Sequence, residues 1–296
     1  MVRYAALVAV LFLGSSLGAD DSLGVEGDAV MKPLVRVRTE AAAGSGVLIY
    51  SADREKAGEF RTFVVTNSHV IDDAVKVVKK WDSLRQAWSY AEENEQVTVE
   101  LFTYLRDGKT VLAQPIKATI IAHDAEEDLA VLELDCPLEV KTIARLLPDG
   151  TPLRMLQNVY AVGCSLGVDP IVSVGKITDL EVLIDRKAYV MASADIIYGN
   201  SGGGVFTKVD EDYFFIGTPS RVSVTRNGQA ITNMGFFAPA ARVREFFKVQ
   251  KLDFIINPAV TPESCLEERA KVQGAARKYE SGPGPEQQGP PAPGQG

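Results

Sequence analysis

Short runs of apolar and β-branched residues alternate along the chain with glycine-, proline- and acid-rich breaks, and few stretches carry a helical spacing. Val35-Arg36-Val37-Arg38 alternates apolar with charged side chains, the period of two of a half-buried strand. Val47-Leu48-Ile49-Tyr50 is apolar throughout and reads as a buried strand. The small residues 41–46 between them predict a turn, and residues 51–61 are polar and turn-like. Thr62-Phe63-Val64-Val65-Thr66 then returns as the second arm of a hairpin. Residues 74–94 mix lysines, two tryptophans and acids, and predict a helical or looped insertion. Strands resume at 96–104, 110–113, 116–122 and 129–134.

A connector over 136–151 carries Pro137, Pro148 and Gly150, and a second series of strands follows at 158–163, 171–177, 188–192, 205–206, 213–216 and 234–238. Many short strands, frequent glycine turns and few helices predict an all-β fold, a barrel or a sandwich. Two series of comparable length joined by a proline-bearing connector predict two barrels, about 30–135 and 152–240, with a cleft between them. Val243, Phe246 and Phe247 have helical spacing and predict a closing helix over 242–254.

The two ends read differently from this body. Arg3, the apolar run 5–13 and the small residues 14–19 have the form of a secretory signal peptide over 1–19, cut after Gly18 or Ala19. The run is short for a transmembrane helix, so no membrane span is expected after cleavage and the mature chain is expected to be secreted or periplasmic, with an uncleaved anchor as the alternative. Thr261-Pro262-Glu263 supplies an N-cap, a proline at the first helical position and a first-turn acid, predicting a helical extension over 256–280 that packs loosely or not at all. Residues 281–296 are mostly Pro, Gly and Gln and predict a disordered tail.

Composition narrows the partners. The 296 residues are 46% hydrophobic and 24% charged, with a formal net charge of −8 and no long Lys/Arg cluster. Nucleic acid and anionic membrane are therefore poor partners. Cys136, Cys164 and Cys265 cannot all pair within one chain, leaving one disulfide and a free thiol, or none. Their spacing suits no zinc site, and no metal or cofactor is expected. Cys164 reads as a buried small hydrophobe rather than a nucleophile.

The candidate chemistry lies in Tyr198-Gly199-Asn200-Ser201-Gly202-Gly203-Gly204. A serine flanked by glycines leaves its hydroxyl open to a carbonyl substrate and lets backbone N–H groups point at the oxygen that becomes negative. Both histidines, His69 and His123, precede Ser201, which excludes the serine–acid–histidine order of a G-x-S-x-G hydrolase elbow. A subtilisin-type order of acid, histidine and serine needs an α/β chain with repeated crossover helices, which this pattern lacks, so the order that fits is histidine, acid, serine. His69 ends a hairpin strand and is the candidate base, whereas His123 sits in a polar loop. Asp128 opens a buried strand where its carboxylate can accept an imidazole N–H, with Asp124, Glu126 and Glu127 as competing acids.

Thr66-Asn67-Ser68-His69-Val70, Glu127-Asp128-Leu129-Ala130-Val131-Leu132 and Gly199-Asn200-Ser201-Gly202-Gly203 together resemble the three catalytic blocks of trypsin-like serine peptidases, most of all the HtrA/Deg-type branch. The resemblance runs over about residues 30–254 of a domain placed at 25–255. It implies two six-stranded antiparallel β-barrels of the chymotrypsin type with a C-terminal helix. It also implies a secreted serine endopeptidase acting on proteins or peptides through an acyl-enzyme. Ser201 would be the nucleophile, His69 the base and Asp128 the orienting acid, with the N–H groups of Gly199 and Ser201 as oxyanion hole. Asn200 stands where pancreatic-type enzymes carry an aspartate that pairs with a new N-terminus, so that activation is not expected. Asp195 lies six residues before Ser201, the offset of the aspartate with which trypsin selects basic residues, and is a candidate for the primary pocket. HtrA proteins usually continue into a PDZ domain; only about forty residues follow the closing helix, too few for one. Many are trimers, but no trimer-forming segment is evident. The alternative is a latent or inactive domain kept as a protein-binding or chaperone-like module.

Overall fold

The computed structural model describes residues 23–53, 60–82, 86–136 and 139–279, so the expected signal peptide and tail lie outside the described residues. Helix α1 (Gly24–Val30) leads into β1 (Leu34–Arg38), β2 (Ala43–Asp53) and β3 (Phe60–Thr66). A separate hairpin, β4 (Val75–Asp82) and β5 (Ala87–Asn94), intervenes before β6 (Val97–Tyr104), β7 (Thr110–Asp124) and β8 (Leu129–Leu134). The second series is β9 (Asn158–Gly163), β10 (Ile171–Ile184), β11 (Lys187–Ala192), β12 (Gly204–Val209), β13 (Asp212–Val224) and β14 (Ala230–Pro239), followed by α2 (Ala240–Val249) and α3 (Pro262–Tyr279). Two closed six-stranded barrels result, ordered β1-β2-β3-β8-β7-β6 and β10-β11-β14-β13-β12-β9, with antiparallel neighbours throughout. The expected all-β architecture is thus observed.

The apolar runs follow from burial on both faces. Val35, Val37, Leu48, Val64 and Leu132 fill the first barrel, while Val47, Ile49, Phe63, Val65 and Val131 alternate with them and pack outward. That outer layer meets Phe206 and Phe215 of the second barrel and Val243, Phe246 and Phe247 of α2, so one continuous core joins the barrels. Each large side chain fully buried there contributes about 1.5–3 kcal/mol relative to exposure.

Four expectations change. Within the expected insertion, Val75–Asp82 and Ala87–Asn94 pair as β4 and β5, setting Trp81 against Trp88 at 5.5 Å between ring centroids. Val77, Trp81, Trp88 and Tyr90 are all exposed, so no buried face imposed a readable alternation on the sequence. Residues 43–46 are strand, with the turn confined to 39–42. Their small size reflects crowding: a Cβ at Gly46 would meet Val64 at 2.6 Å, and one at Gly44 would meet Val70 at 2.7 Å. Residues 110–124 are one strand through Pro115, which pairs with Glu100 of β6 and lies beyond the end of β8. That β7 has only one neighbour at this point makes it an edge position, where proline is tolerated. Finally, the start of α3 is docked: Cys265 is buried in the shared core, and Arg269 donates to the Ile121 carbonyl at 3.1 Å and to Gln250. All three cysteines are buried.

Candidate active site

β3 and β8 are neighbours, with Thr66 opposite Ala130. The residues just beyond the end of β3 therefore lie beside those just before β8, and this register brings His69 to Asp128. His69 occupies a 3-10 turn (Ser68–Val70), and its Nδ1 lies 2.8 and 3.0 Å from the two carboxylate oxygens of Asp128. The His69 backbone N–H also donates to that carboxylate, at 3.2 Å, and the Ser220 hydroxyl donates to it at 2.5 Å. Asp128 is buried and holds a left-handed conformation, φ +54°. Burial alone would raise its carboxyl, but the hydrogen bond and charge of His69, with the Ser220 hydroxyl, hold it below the ordinary value. An ionised carboxylate only accepts, so Nδ1 of His69 bears a proton toward it, and in the neutral imidazole Nε2 is then the acceptor.

Ser201 lies in the turn before β12, and three groups of the first barrel hold that turn. The Ser45 N–H donates to the Ser201 carbonyl at 2.8 Å, and the Ser45 hydroxyl donates to the Gly199 carbonyl at 2.7 Å while accepting the Cys164 N–H at 2.7 Å. Asn67 accepts the Gly202 N–H and donates to the Asp128 carbonyl, both at 2.6 Å. Gly199 has φ +92°, and a Cβ there would lie 2.5 Å from the Cys164 carbonyl oxygen. Only glycine fits on both counts. The Tyr198 carbonyl accepts the Leu166 N–H at 2.7 Å, so across this trans peptide the Gly199 N–H points the opposite way. Neither the Gly199 nor the Ser201 N–H has a hydrogen-bond partner among the described residues.

His69 and Ser201 line one cavity of about 380 Å³ with Ile196, Tyr198, Pro219 and Arg221. A larger cavity of about 490 Å³ on the flank of the first barrel holds none of the candidate residues, and the Arg61 and Glu133 that line it are bonded to each other. Asp195 is exposed, accepts the Thr232 hydroxyl at 2.7 Å and is not among the residues lining the His69–Ser201 cavity. The loop thus brings this carboxylate to the Thr232 hydroxyl of β14. His123 pairs with Glu92 at 3.0 Å, and Glu127 with Arg242 and Lys187. Asn200 is buried and accepts the Ser165 hydroxyl at 2.6 Å, a neutral local partner. Cys164 is buried, which pushes its thiol up to about 12. Among the described residues no group of His, Cys, Asp and Glu is arranged to hold a metal ion.

Sequence reasoning missed Ser45, Asn67 and Ser220. Asn67 lay inside a quoted block without a role, Ser45 was absorbed into a small-residue run, and nothing local marks Ser220.

Comparison with known proteins agrees with this architecture. A probable periplasmic serine endoprotease, DegP-like, from Halomonas elongata is 28% identical over 169 residues, spanning 56% of this chain and 28% of its own. The solved HtrA-type protease AlgW with tripeptide is 21% identical with a TM-score of 0.52, covering 79% of this chain and 64% of that one. The serine endoprotease from Yersinia pestis is 20% identical with a TM-score of 0.50, covering 77% and 66%. The chain thus spans about two thirds or less of the relatives it matches, and the structural likenesses speak to fold. The family model for the trypsin-like peptidase domain matches residues 44–213, which is more than half of the 296 residues and includes His69, Asp128 and Ser201. On that match and this fold, the chain belongs to the trypsin-like peptidase family.

Proposed function

We propose that the chain is a serine endopeptidase in which Ser201, His69 and Asp128 act as nucleophile, general base and orienting acid. One observation carries the reading: the buried, ionised Asp128 holds Nδ1 of His69 while His69 and Ser201 open on one cavity. Nε2 of His69 takes the proton of the Ser201 hydroxyl as it attacks a peptide carbonyl, and then returns it to the leaving amine. Water repeats the sequence on the acyl-enzyme. The unpartnered N–H groups of Gly199 and Ser201 face the developing oxyanion, where one such donor supplies about 2.7–4 kcal/mol. Beyond Gly217 the edge of β13 has no strand partner on the β12 side among the described residues, so an extended substrate can add there as a strand.

The early apolar run and the periplasmic name of the Halomonas relative support action outside the cytoplasm. No helix among the described residues is long and apolar enough to cross a membrane.

The test is digestion of casein by wild type and Ser201→Ala, with product termini sequenced. Cleavage that disappears in the variant supports the proposal; cleavage that persists overturns it. If neither protein cleaves and a fluorophosphonate does not label Ser201, the domain is a binding module instead.

A further inference from the structure

Arg221 lies on the part of β13 that borders the His69–Ser201 cavity, exposed to solvent. Its situation differs from that of the arginines that stitch the fold together. Arg36 is bonded to Glu100, Arg61 to Glu133, Arg242 to Glu127 and Arg269 to Gln250. The side chain of Arg221 makes no hydrogen bond or ion pair among the described residues, although its backbone lies opposite Phe236 in the β13–β14 ladder. No carboxylate lines the cavity, whose other walls include Ile196, Ile197, Pro219, Val222 and Val224. Arg221 is therefore the one charged side chain, apart from the imidazole, among the residues that line it.

We infer that Arg221 is a specificity-determining residue that selects peptides carrying an acidic side chain close to the scissile bond. The inference rests on the peptidase reading of the same site and names its substrate class. Three physical points carry it. A free guanidinium offers a planar fork of donors that matches a carboxylate. Apolar neighbours screen such a pair less than open water does. The chain's net charge of −8 gives an acidic peptide no long-range attraction, so recognition has to be local. Strand geometry adds a constraint. A peptide laid along the β13 edge presents alternate side chains to opposite faces, so acid should be favoured only at alternate positions.

The test uses fluorescein-labelled decapeptides of alanine and valine in which one position in turn carries Asp, Asn or Lys. Cleavage is measured with wild type, Arg221→Ala and Arg221→Glu, and binding by anisotropy with Ser201→Ala alone and combined with Arg221→Ala. The expected result is a preference for Asp over Asn of roughly five- to fiftyfold in kcat/KM at alternate positions. It should vanish in Arg221→Ala and turn toward Lys in Arg221→Glu, an inversion that a merely structural arginine would not produce. Equal handling of Asp and Asn, or a preference that survives Arg221→Ala, overturns the inference while leaving the peptidase intact. Should wild type cleave none of these peptides, binding to Ser201→Ala decides: Asp-dependent binding lost with Arg221 upholds the selectivity, and its absence sinks it. The peptidase reading itself falls only if casein is also uncleaved and a fluorophosphonate leaves Ser201 unlabelled.

Discussion

The side-chain oxygen of Asn67 accepts the backbone N–H of Gly202 at 2.6 Å, and its amide nitrogen donates to the Asp128 carbonyl at 2.6 Å. One buried amide thus spans the two barrels and spaces the acid from the serine turn. Gly202 cannot retreat from this contact, since a Cβ there would collide with the Ser45 carbonyl and the Thr66 hydroxyl. Asn67→Leu keeps the branched shape and the number of heavy atoms but leaves the Asp128 carbonyl without this donor; the Gly202 N–H retains only the Pro219 carbonyl at 3.2 Å. The expected loss is about 1–3 kcal/mol, or a few degrees in Tm by thermal unfolding. The rate of casein cleavage should fall further than stability explains at a temperature where the variant is fully folded, because the serine turn loses its register with His69.

Gly199→Ala should be folded and nearly inactive. A methyl group at φ +92° is strained and meets the Cys164 carbonyl and Leu166 N, so the Tyr198–Gly199 peptide must turn. Turning it removes one of the two free N–H groups from the cavity side. A loss of about 10²–10³ in kcat is expected, with KM for a neutral peptide changed little, because the donor acts on charge that develops after binding. Steady-state kinetics on one peptide separates the two.

Asp128 sets a pH dependence of stability. Its carboxyl is held below the ordinary value in the folded chain, so the unfolded state binds the proton more readily. Its contribution is complete at neutral pH and persists down to the unfolded value of about 3.9. It is lost as pH falls further, through the lower folded value. Asp128→Asn should be less stable than wild type at pH 7, with the gap narrowing below about pH 4 in urea titrations. The same substitution should cost about 10⁴ in kcat, since an amide favours the wrong imidazole tautomer.

The strands that bury both faces were legible because their apolar runs are continuous, as at Val47-Leu48-Ile49-Tyr50, and the order of His69, Asp128 and Ser201 was legible because each sits in a short local block. What escaped was set across the chain. Ser45 touches Gly199 and Cys164 over more than a hundred residues of sequence, and Ser220 reaches Asp128 from the far barrel. No local pattern encodes such contacts. The β4–β5 hairpin escaped for the opposite reason: with Trp81 and Trp88 exposed, no core disciplined its alternation.

Asp195 offers the last contrast between offset and geometry. Its position six residues before Ser201 invites a role in selecting basic residues, yet its carboxylate accepts the Thr232 hydroxyl and its carbonyl accepts the Ser173 hydroxyl. Asp195→Ala should therefore leave the cleavage-site pattern on casein unchanged, including any lack of preference for Lys or Arg before the cut. Since Asp195 is exposed, the lost hydrogen bond should cost no more than about 1 kcal/mol of stability. A shift of the cut sites away from basic residues in this variant would return the carboxylate to the pocket and would contradict the selection of acidic peptides by Arg221, because a neighbouring carboxylate would neutralise the guanidinium that does the selecting.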